Sequence, residues 1–164
     1  MTEARVGPDG VLLFGASRYR AALGRGGVTA AKREGDGATP AGLLPLRRIL
    51  YRADRIRRPR TGLPTMPLAP HDGWCDDPAH ADYNRIVRLP HDGRHEELWR
   101  SDGVYDLIGV LGWNDGPVER GRGSAIFLHA ARPDLAPTEG CIALPLRDLL
   151  EVVEGGLTAV LVEG

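Results

Sequence analysis

The sequence has little lysine, little cysteine and no long apolar run. Only Lys32 is a lysine among 21 lysine and arginine residues. The two cysteines, Cys75 and Cys141, are too few and too far apart for the disulfide framework of a small secreted domain. The longest early apolar stretch, 11–14, is too short to span a membrane, and no basic patch precedes it. We therefore expect neither a transmembrane segment nor a signal peptide.

Composition predicts one globular domain over residues 1–164, and we expect it to be monomeric. A chain of this length with 42% apolar and 26% charged residues can bury a sizeable core. The segment 47–60 holds seven arginines, but a net charge of -1 and few nearby aromatic residues argue against a nucleic-acid partner. The excess of arginine over lysine fits either an acidic substrate or codon bias.

Glycine and proline are frequent, at 22 and 13 residues, which favours short strands joined by turns. One helix is predicted over 145–153, because an apolar stripe recurs at helical spacing and Gly155-Gly156 follows as a stop. The sequence therefore predicts a mainly β, sandwich or barrel-like fold with one or two short helices. Its strands are predicted at 11–16, 46–51, 86–89, 104–111, 124–130 and 157–162.

A histidine and a cysteine each lie at the end of an apolar segment. His129 ends the run 124–128, and Cys141 follows Gly140 in a tight turn that enters the apolar run 142–144. Two such residues can meet in the fold, and a thiol with a pKa near ~8.5 needs an adjacent imidazole to react at neutral pH. The pattern indicates a Cys–His nucleophile pair; a buried structural cysteine with a hydrogen-bonded histidine is the alternative.

Four sequence blocks lie in order along nearly the whole chain: 32–42, 74–78 with 83–85, 121–129 and 138–141. Together they resemble the catalytic domain of the L,D-transpeptidases, the YkuD-like family. Glu139 stands where the commonest family pattern has histidine, and Ala143 where it has arginine or asparagine. The spacing from His129 to Cys141 is also shorter than in the best-known members. The resemblance is thus to a branch with Thr-Glu-Gly-Cys at the nucleophile.

The resemblance implies cysteine-dependent acyl transfer on peptidoglycan without a cofactor. His129 would take the proton of Cys141, and the thiolate would attack the carbonyl between a meso-diaminopimelate-type residue and the terminal D-Ala of a tetrapeptide stem. D-Ala leaves, and the thioester passes to an amine of a neighbouring stem, giving a 3→3 cross-link, or to a protein lysine. Water as acceptor would give an L,D-carboxypeptidase, and a silent peptidoglycan-binding module is a further alternative.

The turn before Cys141 is expected to assist this chemistry. Gly140 lets a substrate approach closely, so its amide and that of Cys141 are predicted to form an oxyanion hole. A helix starting just downstream would favour the thiolate. Thr138 is expected to close the turn or to bind substrate. Glu139 is expected to face solvent, to pair with an arginine or to hold the acceptor amine.

Four residues of the second block are predicted to bind the stem peptide: Trp74, Tyr83, Asn84 and Arg85, with Arg85 holding a donor carboxylate. A packed Trp–Tyr pair beside a surface arginine is the alternative. The spacing of His71, Cys75 and His80 matches no zinc motif, so no metal is predicted. The family resemblance implies the periplasm or cell envelope, whereas the missing signal peptide leaves the cytoplasm open.

Overall fold

The computed structural model describes residues 2–164, which form fourteen strands and one helix. All six predicted strands, 11–16, 46–51, 86–89, 104–111, 124–130 and 157–162, overlap an observed strand. The elements are β1 (Glu3–Val6), β2 (Val11–Phe14), β3 (Ser17–Arg20), β4 (Val28–Thr29), β5 (Thr39–Pro40), β6 (Gly42–Tyr51), β7 (Thr65–Pro67), β8 (Asp72–Cys75), β9 (Arg85–Arg88), β10 (His95–Glu97), β11 (Leu107–Leu111), β12 (Phe127–Ala130), β13 (Ile142–Leu144), α1 (Leu146–Glu154) and β14 (Ala159–Val162).

A nine-stranded sheet runs in the order β13-β12-β11-β6-β14-β1-β2-β3, with β7 added beside β6. Its two ends come together, because Ala22, just after β3, exchanges backbone hydrogen bonds of 2.8 and 2.9 Å with Ala143 of β13. The sheet is therefore nearly closed, and the mainly β, barrel-like prediction is confirmed. This closure clamps the segment around Cys141 between β12 and the chain that follows β3.

The helix α1 lies one residue later than the predicted span 145–153. Its buried side chains are Leu149, Val152 and Val153, which join the main core on the side of β12 and β13. Gly155 follows the last helical residue, as the sequence indicated. In the part of the chain that the structure describes, no helix is long and apolar enough to cross a membrane.

The neighbouring strands β11 and β12 are shorter than predicted, and several polar strands were missed. β12 begins at Phe127 because Ala125 has a left-handed φ of 54°, which interrupts an extended strand. β11 begins at Leu107 because 104–106 form a turn. The polar strand β10 pairs with β8, and β8 with β9, in a separate three-stranded sheet. This small sheet contributes to the wall of the cleft described next.

Candidate active site

Parallel pairing of β12 with β13 places His129 and Cys141 on one wall. The register matches His129 with Ala143 and Leu128 with Ile142, so Cys141, the residue before β13, lies level with Phe127. The Phe127 N–H donates to the Cys141 Sγ at 3.4 Å. Side chains two residues apart share a face of a strand. His129 and Cys141 accordingly both line one cleft of about 630 Å³.

The turn before Cys141 is held by Thr138 and requires a glycine. The Thr138 hydroxyl donates to the Cys141 carbonyl oxygen at 2.7 Å and accepts the Gly140 N–H at 3.1 Å. Gly140 has a φ of 134°, and a Cβ there would lie 2.8 Å from the Ala38 carbonyl oxygen. Because the Gly140 N–H is bound inside the turn, the Cys141 N–H is the better candidate of the two predicted oxyanion donors.

The thiol of Cys141 is held by a strained residue. It donates to the carbonyl oxygen of Ala125 at 3.2 Å. The left-handed conformation of Ala125 costs about 1–2 kcal/mol for a residue with a side chain. Its N–H is fixed by the Asn84 Oδ1 at 3.0 Å, and the Asn84 amide group also donates to two carbonyls of the preceding loop. Asn84 thus positions the backbone whose carbonyl oxygen accepts the hydrogen bond of the thiol.

His129 is oriented by a backbone carbonyl. Its Nδ1–H donates to the Ala130 carbonyl oxygen at 2.9 Å, which makes Nε2 the nitrogen able to accept a proton. Its ring packs nearly perpendicular to the ring of Tyr105, with centroids 5.3 Å apart. His129 is only 8% exposed, so the imidazole is largely shielded from water.

Burial keeps both groups neutral in the free protein. It raises the pKa of Cys141 to about 12 and lowers the pKa of His129 to about 4. The expected help from the helix is also absent: α1 begins at Leu146, after the whole of β13, so its first turn is more than about 10 Å along the chain from Cys141. The free protein therefore holds no thiolate at Cys141, and a reaction at this sulfur would have to remove the thiol proton during attack.

The buried imidazole predicts a loss of stability in acid. The unfolded chain binds a proton at His129 near pH 6.5, whereas the folded protein does so only near its pKa of about 4. This contribution to stability is complete above pH 6.5 and is lost as the pH falls towards 4, by about 2 kcal/mol between pH 7 and 5. Denaturant titrations should show the loss, and His129→Gln should reduce it by that amount. The same pH dependence in both proteins would contradict the shift.

None of the four residues predicted to bind the stem peptide lines the Cys141 cleft. Trp74 and Tyr83 are buried: the Trp74 indole donates to Asn84, and the Tyr83 hydroxyl donates to Glu34 and accepts the N–H of the Gly123 backbone. Arg85 is exposed and lines a second cavity of about 360 Å³, together with Trp74 and Asn84. The structure gives Trp74, Tyr83 and Asn84 packing and positioning contacts, and it leaves Arg85 outside the cleft.

Two other predicted residues of the turn have protein partners. Glu139 lies beside the cleft and pairs with Arg25, N to O 2.6 Å, with both side chains exposed. This is the arginine pairing considered among the alternatives. Thr138 lines the cleft, but both of its side-chain hydrogen bonds stay inside the turn.

Several charged and aromatic cleft residues were given no role from the sequence. The small sheet and the turn before β11 bring several of them to the site from distant positions in the sequence. Lys32 lies inside a family block, so its sequence position alone could have indicated a role. Lys32 is 5% exposed, with its Nζ 2.5 Å from Asp36. Such residues include Lys32, Glu96, Arg100, Tyr105 and Arg132.

A second cluster, of side chains that could ligate a metal ion, includes Cys75. Ligand atoms of Cys75, His80 and His91 all lie within 4.8 Å of one another, a grouping that sequence spacing did not indicate because His91 comes from a different loop. Both nitrogens of each ring already have partners: His80 meets Asp92 and the Asp82 N–H, and His91 meets Asp82 and Gly93. The absence of a metal stays a prediction.

The family resemblance is matched by an independent comparison. The family model of the L,D-transpeptidase catalytic domain, YkuD, matches residues 9–162, nearly the whole chain. The chain therefore belongs to the L,D-transpeptidase catalytic-domain family. No individual curated protein matches it significantly.

Proposed function

We propose that this protein is a peptidoglycan L,D-transpeptidase that uses Cys141 as its nucleophile. The observation that carries the proposal is the parallel pairing of β12 and β13, which brings Cys141 and an oriented His129 to one wall of a cleft in a member of this family. The acyl donor is a tetrapeptide stem of the cell envelope. The reaction needs no metal or organic cofactor, because a thioester carries the acyl group.

Acylation begins when the thiol turns from Ala125 towards the imidazole. His129 takes the proton at Nε2 as the sulfur attacks the donor carbonyl, and the imidazolium then gives the proton to the D-Ala amine as it leaves. The Cys141 N–H faces the developing oxyanion. The ammonium of Lys32 adds positive charge: its Nζ lies 3.4 Å from the place where a Cβ on Gly140 would be, and its charge favours the Cys141 thiolate.

The acceptor decides which product forms. An amine of a second stem gives a 3→3 cross-link, a protein lysine gives attachment, and water gives a tripeptide. Incubation with purified tetrapeptide muropeptides, followed by mass analysis, separates these results. Release of D-Ala with a dimer supports the transpeptidase, a tripeptide alone supports the carboxypeptidase, and no product with an intact fold supports a silent binding module.

We propose Arg132 as the anchor for a donor carboxylate. Arg132 lines the cleft three residues after His129, and its only ion pair is a loose one of 3.6 Å to Asp102 within residues 2–164. Arg100 is held more closely by that same carboxylate. Arg132 therefore has donors available for a ligand, whereas Arg85 faces the other cavity.

Arg132→Ala should lower kcat/KM for the tetrapeptide by about tenfold to a hundredfold, mainly through KM, because a charged hydrogen bond to the donor is lost. Arg85→Ala is the matched control and should change neither constant. Steady-state measurement of D-Ala release checks both. A loss in Arg85→Ala with none in Arg132→Ala would return the anchor to Arg85.

A further inference from the structure

One carboxylate of the cleft has no cationic partner. Glu139 pairs with Arg25, Asp76 pairs with Arg94 at 3.2 Å, and Glu34 lies 3.8 Å from Arg94. Glu96 also lines the cleft, yet it forms no ion pair with any other residue of 2–164. Its one side-chain hydrogen bond comes from the Tyr105 hydroxyl at 2.7 Å.

Nearby arginines do not satisfy Glu96. Arg100 is committed to Asp102 through two hydrogen bonds, and its guanidinium lies over the Tyr105 ring, 5.3 Å from the centroid. Arg94 is held by the side chain and the carbonyl oxygen of Asp76. Glu96 is half-buried, and burial raises its pKa. A carboxylate in such a place is stabilised by a cation that arrives with a ligand.

Glu96 lies near the reacting groups but does not touch them. Tyr105 links the two: its hydroxyl donates to Glu96, and its ring packs nearly perpendicular to the His129 ring. Glu96 is fixed on β10, where it pairs in register with Trp74 of β8. A cation bound to Glu96 would therefore sit about one aromatic side chain away from the base, on a rigid strand.

We propose that Glu96 binds the primary ammonium of a stem peptide and so selects substrates that carry a free amine. The inference rests on the proposed function, because a stem with a diaminopimelate-type residue presents such an ammonium at the end of a short alkyl chain. Arg132 and Glu96 together then give the cleft one site for each charge of a zwitterionic peptide. The ammonium comes either from the donor or from the acceptor, and both sources offer the same chemistry.

Binding in a Cys141→Ala background tests this without turnover. Calorimetric titration should show that Glu96→Gln weakens binding of the free-amine tetrapeptide by about tenfold to a hundredfold. The same peptide with its side-chain amine acetylated should bind equally to both proteins. Glu97→Gln is the matched control, since Glu97 is the exposed neighbour on the same strand, and it should bind both peptides as the parent does.

Repeating the titration with active protein whose Cys141 is blocked by a β-lactam separates the sources. A Glu96→Gln effect that persists there assigns the ammonium to the acceptor, and one that disappears assigns it to the donor. Equal weakening for both peptides, or none for either, would overturn the proposal. The proposed function fails separately, if the parent binds stems with Glu96-dependent affinity but neither releases D-Ala nor is acylated.

Discussion

Cys141→Ala is expected to abolish acyl transfer while leaving the fold intact. D-Ala release from tetrapeptide stems should fall by at least about a thousandfold, because the sulfur that would carry the acyl group is lost. The substitution removes one sulfur atom and its contacts with Phe127 and Ala125. The free energy of unfolding should therefore change by only about 1 kcal/mol. Coupled D-Ala detection and a thermal melt measure the two quantities.

Cys75→Ala is the matched control for this experiment. Cys75 is also a free, fully buried cysteine, but it lies in β8 and does not line the Cys141 cleft. Activity should survive in Cys75→Ala. Parental D-Ala release by Cys141→Ala would remove Cys141 as the nucleophile, whatever the Cys75 variant does.

His129→Ala should lower the rate of acylation by about 10²–10⁴ at pH 7, because the general base is lost. In the parent, the rate should be flat through neutral pH and should fall only as His129 is protonated, near its lowered pKa of about 4. In the variant, the rate should rise with pH as the thiolate fraction grows. This rise should continue through the alkaline range, since burial raises the pKa of Cys141 to about 12.

Rates of acylation by a β-lactam across pH 4 to 10 provide the comparison for both proteins. His129→Gln is a useful companion, because it keeps much of the side-chain volume against Tyr105. A pH profile in either variant that superimposes on that of the parent would make His129 a structural residue.

The proximity of His129 and Cys141 was predictable because its signal is local. His129 and Cys141 each stand at the end of an apolar run, and a parallel pair of strands brings such ends to one edge. The need for Gly140 in the turn was likewise predictable, but the hydrogen-bond partner of its N–H was not. That partner is the Thr138 hydroxyl, which accepts the Gly140 N–H inside the turn.

Residues brought together by tertiary contacts were harder to assign. Tyr83, Asn84 and Arg85 do not line the Cys141 cleft. Asn84 acts indirectly, because its side chain accepts the N–H of Ala125, and Arg85 lines the other cavity. Glu96 lies in a short polar strand, and nothing in its immediate sequence distinguishes it from Glu97. Only the pairing of β10 with β8 turns one of these two carboxylates towards the cleft.

The protonation states also follow from the fold and not from the residue types. An exposed Cys–His pair would titrate near the usual values of its members, and the sequence suggested an assisted thiolate. Enclosure by Tyr105, Phe127 and the Ala125 loop instead moves the two pKa values apart, in opposite directions. In the proposed mechanism, a pair that starts neutral must transfer its proton during attack.

The most direct test of the central claim is the site of acylation. We expect a carbapenem, which resembles a strained acyl donor for this family, to add one covalent adduct per chain. After proteolysis, mass spectrometry should find that adduct on the peptide containing Cys141 and on no other peptide, with no adduct in Cys141→Ala. An adduct on the peptide containing Cys75, or an adduct that remains in Cys141→Ala, would contradict the assignment of Cys141 as the nucleophile.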